Sequence, residues 1–145
     1  MAVSLRGITA DNYAAVCDMD VADHQQDYVA CNMWSLVESH YNEGYTCRAI
    51  YQDETPVGFI MWVQENENKV SIWRFMIDQY QQGKGIGRLA LQLALAEIKD
   101  SPWLETIEIC YNPNNPVAGD FYASFGFVEV GMDDDGDDML AVIRL

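Results

Sequence analysis

The segment Gln82-Gly83-Lys84-Gly85-Ile86-Gly87-Arg88 constrains this chain more than any other. It lies between Lys69–Ile77, which reads as a strand, and Ile86–Lys99, whose apolar residues recur at helical spacing. Glycines at such a junction let the backbone take positive φ and approach a ligand closely. The helix that follows presents unpaired N–H groups and the positive end of its dipole, which suits a phosphate. Cations at that end work against the dipole. Yet Lys84 and Arg88 both stand there, in a chain with 8 Lys and Arg against 23 Asp and Glu. An anion held between them resolves the conflict; a tight turn without a ligand is the alternative reading. The dinucleotide pattern G-x-G-x-x-G fails because its sixth position is Arg88, and the P-loop pattern is absent. What remains is Q-x-x-G-x-G, carried by Gln82, Gly85 and Gly87.

Around this turn the chain alternates between strand and helix patterns. Val3–Ile8 predicts a strand, and Thr9 an N-cap for a helix over Asp11–Asp18. Val21–Glu43 is expected to be helical in pieces, with Asn32 capping Met33–His40 and Gly44 ending it. Thr46–Tyr51, Val57–Gln64 and Lys69–Ile77 predict a meander of strands. In the last, Val70, Ile72, Arg74 and Met76 are expected on one face, with Ser71, Trp73, Phe75 and Ile77 on the other. Ile86, Leu89, Ala90, Leu93, Ala94 and Ile98 predict the buried face of the long helix. Thr106–Tyr111 reads as a strand, Val117–Phe125 as a helix, and Phe127–Met132 with Met139–Leu145 as a hairpin. This order implies an α/β fold with a mixed central sheet of about six to seven strands flanked by helices. With 145 residues, one domain spanning 1–145 is expected.

Composition narrows the function. No run approaches the roughly 18 apolar residues of a membrane span, and the first residues lack the pattern of a signal peptide. A cytoplasmic protein without membrane contact is the expectation. The net charge of −15 disfavours nucleic acid and anionic lipid. It fits either a polycationic small molecule as substrate or an acidic, solvated surface. Cys17, Cys31, Cys47 and Cys110 have no C-x-x-C spacing, and His24 and His40 do not complete a ligand set, so no metal site is predicted. Asp133–Asp138 fails the EF-hand pattern, because Gly131 stands where an acid is required, and reads as a charged hairpin turn.

The Gln82–Arg88 turn resembles the pyrophosphate-binding motif of the GNAT superfamily of N-acetyltransferases. Arg74-Phe75-Met76-Ile77-Asp78 is similar to that family's central bulged strand. Asn115-Pro116-Val117-Ala118 with Phe121-Tyr122 and Gly126-Phe127 resembles its second coenzyme-contacting segment. The resemblance implies acetyl-CoA as cofactor, with Gln82, Gly83, Lys84, Gly85, Ile86, Gly87 and Arg88 around the pyrophosphate. It also implies that backbone groups of Phe75 and Ile77 hold the pantetheine arm, and that an N–H near Met76 or Ile77 polarises the thioester. Asn115 and Ala118 would contact the coenzyme. Tyr122 matches the position that protonates the departing thiolate, and a phenol of ordinary pKa, about 10, is able to do so. The carboxylate base that some polyamine-acetylating relatives carry before the bulge is replaced here by Trp73-Arg74. Glu108, acting through water, is the candidate base, and a water chain without a dedicated base is the other.

Val21–Ala30, Val57–Met61 and Arg74–Asp78 also resemble bacterial spermine/spermidine (diamine) N-acetyltransferases. That resemblance implies a polyamine acceptor, with Gln25, Asp27, Tyr28 and Trp73 as substrate-binding residues and Trp34 and Glu38 in the same region. A homodimer is expected by analogy. The alternatives are another small amine, a protein N-terminus, or a catalytically idle acyl-CoA-binding module.

Overall fold

The computed structural model describes residues 2–21 and 31–145. Strand β1 (Val3–Gly7) leads to helix α1 (Tyr13–Asp18), then helix α2 (Asn32–His40). Strands β2 (Tyr45–Gln52), β3 (Thr55–Asn66) and β4 (Lys69–Ile77) form a meander. A 3-10 turn at Gln79–Gln81 precedes helix α3 (Ile86–Ile98). Strand β5 (Thr106–Tyr111), helix α4 (Ala118–Ala123) and the hairpin β6 (Val128–Met132) and β7 (Met139–Arg144) complete the chain. The seven strands form one sheet in the order β1-β2-β3-β4-β5-β7-β6. All neighbours run antiparallel except β4 and β5, which are parallel because α3 crosses over between them. The α/β architecture expected from the sequence is therefore the one observed.

Helix α3 covers one face of the sheet. Ile86, Ala90, Leu91, Ala94, Leu95 and Ile98 pack on Ile60, Ile72, Ile107 and Ile109. The predicted stripe was rotated: Leu91 and Leu95 are buried, whereas Leu89 and Leu93 stand 38% and 39% exposed. A helix apolar over so wide an arc leaves its orientation to the sheet beneath it. Opposite, Val16 of α1 with Val21 meets Ala49, Phe59, Met61 and Met76.

Two caps differ from expectation. Thr9 Oγ1 accepts from the Asp11 N–H at 3.2 Å, but the helix starts only at Tyr13. Asn32 lies inside α2, behind Cys31, and its buried side chain donates to the Val16 carbonyl at 2.9 Å. It ties α2 to α1 rather than capping α2.

Strand β4 departs most from its sequence pattern. Met61 pairs with Arg74 and Trp62 with Ile72, so Trp73 has no partner and forms a bulge. The extra residue reverses the alternation. Val70, Ile72, Phe75 and Ile77 face α3, while Ser71, Trp73 and Met76 face the side of α1 and α2. Pairing with β5 is confined to four residue pairs, Lys69–Thr106 through Ile72–Ile109. From Trp73 onward β4 and β5 have no register with each other.

Candidate functional site

The parting of β4 from β5 opens a cleft on the α3 side, with a volume of about 400 Å³. Phe75, Met76, Ile77, Gln82, Gly83, Gly85, Ile86, Gly87, Arg88, Asn115, Ala118 and Tyr122 all line it. Val21, Gln81, Val117 and Phe121 line it too. The sequence offered no chemical signal for Val21, Gln81 or Val117, which reach the cleft only through the fold.

The turn is built for a ligand approaching from outside. Gly83 and Gly85 take φ of +78° and +81°, and a Cβ on either would meet nothing within 4 Å. Glycine is therefore needed for the sign of φ, and the space beyond is open. Gly85 is the N-cap of α3, with no side-chain cap and no acid in the first turn. Gly87 sits over Phe75, Ile77 and Phe121, each within 3.9 Å of the Cβ it lacks. The Gln82 side-chain amide donates to the Ile77 carbonyl at 2.9 Å, fastening the turn to the end of β4.

The two cations of the turn have neutral hydrogen-bond partners. Arg88 Nη2 donates to Ser124 Oγ at 2.8 Å, and its guanidinium lies over the Phe121 and Phe125 rings. Lys84, the one predicted coenzyme residue not lining the cleft, donates from Nζ to Gln81 Oε1 at 3.0 Å. Among the described residues neither forms a salt bridge, although the chain carries 23 acids. Open first-turn N–H groups and two cations without a carboxylate fit a pyrophosphate.

Tyr122 comes from α4, and its ring lies 5.4 Å from that of Tyr111 and 5.3 Å from that of Phe121. Burial raises its pKa well above the ordinary phenol value, and neighbouring Cys110 and Tyr111 add to the shift. A phenol in that state keeps its proton throughout the neutral range. Asn115 Oδ1 accepts from the Val117 N–H at 3.3 Å, so its side chain also shapes the turn before α4.

On the other face of the sheet lies a second compartment of about 280 Å³. Trp73, Ser71, Glu108, Cys110, Asp133, Asp134 and Leu140 line it. Glu108 thus points into a cavity rather than outward. It accepts from Ser71 Oγ at 3.5 Å and pairs with Lys69 Nζ at 3.2 Å. Two residues further along β5, on the same face, is Cys110. Burial pushes its thiol up to about 11, with Asp138 the next contributor. The Cys110 charge also bears on Tyr122, so the two compartments approach each other where the strands part.

Trp73 lines this compartment rather than the α3-side cleft, and its ring meets Tyr45 edge-on at 5.5 Å. Trp34 lies 65% exposed and lines neither compartment. Gln25, Asp27, Tyr28 and His24 fall outside the described residues. The sequence did not bring Cys110, Asp133 and Asp134 to this compartment, reading the two acids only as part of a charged hairpin turn. Strand parity from Glu108 marks Cys110, but the acids arrive through the β6–β7 hairpin, which no local pattern locates. Among the described residues no three His, Cys, Asp or Glu converge as metal ligands.

Comparison with known proteins identifies the family. The chain is 28% identical over 134 residues to a spermine/spermidine N(1)-acetyltransferase of Bacillus subtilis (strain 168), a match covering 88% of each. Its fold is similar to the spermidine N-acetyltransferase from Vibrio cholerae in complex with CoA and spermine, with a TM-score of 0.80 at 17% identity, covering 98% and 95% of the two chains. It is also similar to a GNAT family acetyltransferase from Elizabethkingia anophelis with acetyl-CoA bound, with a TM-score of 0.72 at 13% identity, covering 99% and 98%. The family model for the acetyltransferase (GNAT) family matches residues 13–127, from the start of α1 to the residue before β6, and the chain belongs to that family.

Proposed function

We propose that the protein transfers acetyl from acetyl-CoA to an amino group of a polyamine or diamine such as spermine or spermidine. The observation that carries the acceptor assignment is the compartment behind the parted strands, where Trp73 faces Glu108, Asp133 and Asp134. Carboxylates and an aromatic face are the groups that hold ammonium ions. The match to the Bacillus subtilis spermine/spermidine acetyltransferase supports the same reading.

Bound in the cleft, acetyl-CoA supplies a thioester carbonyl open to attack by a neutral amine. Gly83–Arg88 hold its pyrophosphate through backbone N–H groups, with Lys84 and Arg88 neutralising charge. The edge of β4 from Phe75 to Ile77 offers backbone groups that have no β5 partner. Tyr122 holds a proton at Oη and delivers it to the departing sulfur, a role worth about 10²–10⁴-fold. Glu108, which lines the proposed acceptor compartment, removes a proton from the acceptor through water.

Coenzyme A release from acetyl-CoA, measured with spermine, spermidine, putrescine and an aminoglycoside, tests this. Turnover confined to the polyamines is expected. Turnover with the aminoglycoside alone would discard the polyamine assignment and keep the chemistry. Acetyl-CoA binding with no turnover on any amine would point to an idle binding module.

A further inference from the structure

Next in sequence to Trp73, which lines the acceptor compartment, Arg74 meets Glu38 of helix α2 in an ion pair that is only half formed. Arg74 Nη2 lies 3.5 Å from Glu38 Oε1, longer than the roughly 2.7–2.9 Å of a charge-assisted hydrogen bond. Glu38 Oε1 and Arg74 Nε are both buried, and neither has a hydrogen-bond partner among the described residues. The rest of each side chain is held in place. Glu38 Oε2 accepts from the Tyr45 hydroxyl at 3.2 Å, and Arg74 Nη1 donates to the Trp73 carbonyl at 2.9 Å. A carboxylate oxygen has thus been taken out of water beside a cation whose planar fork does not bond it. Leaving a buried charged group unsatisfied is costly unless something later completes it.

The Arg74 charge is felt beyond Glu38. It bears on Cys110, which lines the acceptor compartment, and on Asp138 at the end of the acidic hairpin. The guanidinium is thus within electrostatic reach of a second acidic group besides Glu38, namely Asp138 on the acidic hairpin.

We infer that Glu38 receives an ammonium of the acceptor and that Arg74 is a resident cation displaced from Glu38 when the acceptor binds. This assignment rests on the polyamine reading of the compartment. A compact ammonium with three donors can bond Oε1 where the planar guanidinium does not. The nitrogen held at Glu38 stays protonated and cannot attack a thioester, so it is a nitrogen other than the one acetylated. Asp138 is the carboxylate toward which Arg74 shifts. Arg74 thereby sets specificity: an acceptor must bring a second positive charge to replace it, and a monoamine gains nothing from Glu38.

Calorimetric titration of the coenzyme-A-loaded protein with spermidine and with pentylamine tests this, with spermidine turnover measured alongside. Glu38→Gln should weaken spermidine binding about tenfold or more and leave pentylamine unchanged. Arg74→Gln should strengthen spermidine binding, because no resident cation competes. The double variant should bind spermidine as weakly as Glu38→Gln while keeping a neutral, folded pair, so its melting temperature separates recognition from folding. Weaker spermidine binding in Arg74→Gln, or an equal effect of Glu38→Gln on both amines, would overturn the inference. A wild type that does not acetylate spermidine would overturn the acceptor assignment. Glu38-dependent spermidine binding in that case would still support the exchange, and absence of spermidine binding would overturn both.

Discussion

Arg88 reaches from the first turn of α3 to Ser124 just past α4, donating a 2.8 Å hydrogen bond to its hydroxyl oxygen. The same guanidinium covers Phe121 and Phe125, so the residue proposed to face the coenzyme phosphates also holds the helix that carries Tyr122. Arg88→Gln should raise the KM for acetyl-CoA about tenfold or more, through loss of a charge-assisted contact. Ser124→Ala removes two exposed bonds, the one from Arg88 and the one its hydroxyl donates to the Phe121 carbonyl at 2.6 Å, and should cost about 1 kcal/mol without touching the phosphate contact. Steady-state kinetics on both variants separate the two roles, and equal KM values for Arg88→Gln and wild type would remove Arg88 from coenzyme binding.

Tyr122→Phe should lower kcat at least about tenfold with little change in the affinity for acetyl-CoA. Because burial raises the phenol pKa, the wild-type rate should show no tyrosine-dependent fall below about pH 10. A pH–rate profile with a falling limb near neutrality, absent from the Phe variant, would contradict this protonation state. Unchanged turnover in the variant would leave the sulfur without Tyr122 as its acid.

Gly58 tests how tightly the end of β4 is held. A Cβ there would come 2.5 Å from the Met76 carbonyl oxygen and 3.0 Å from Ile77 Cδ1. Gly58→Ala should destabilise the fold by about 1–3 kcal/mol and, by displacing Met76 and Ile77, weaken acetyl-CoA binding. Gly7→Ala, whose Cβ would meet nothing within 4 Å, is the control. Urea denaturation and coenzyme titration of the pair measure both effects.

Cys110 gives the fold an alkaline limit. Its thiol is held at about 11 against an ordinary 9.0, chiefly by burial. The folded state therefore keeps this proton more tightly than the unfolded chain. The resulting stability is fully present below about pH 9 and is lost as the pH rises toward 11. Over that window wild type should lose about 2 kcal/mol more than Cys110→Ala, since each unit of pKa is about 1.4 kcal/mol. Denaturation at pH 8 and at about pH 10.5 compares them; parallel losses in the two proteins would rule Cys110 out.

What the sequence made legible is local. The bounds of β4, Lys69–Ile77, and of β5, Thr106–Tyr111, coincide with those read from hydrophobic alternation, because each is flanked by strong turn residues. The glycine turn was legible because left-handed backbone at Gly83 and Gly85 leaves a compositional mark. The bulge left no mark in composition or alternation and was reached only through the family resemblance of Arg74–Asp78; which residue is extra is visible only against β3. The choice between Leu89 and Leu91 on α3 was settled by the sheet below it rather than by its own period. Glu38 and Arg74 meet because α2 packs across the meander, and neither residue carries a local sign of the other.

The junction between β4 and β5 divides the sheet into two rafts, β1–β4 and β5–β7–β6, moored along only four residue pairs. Beyond Ile72 and Ile109 each raft presents a free border to the other, inside the molecule rather than at its rim. An extended, amide-bearing arm lodged there is in hydrogen-bonding terms an eighth strand. Bound as proposed, acetyl-CoA would complete the architecture as well as being chemically altered by it.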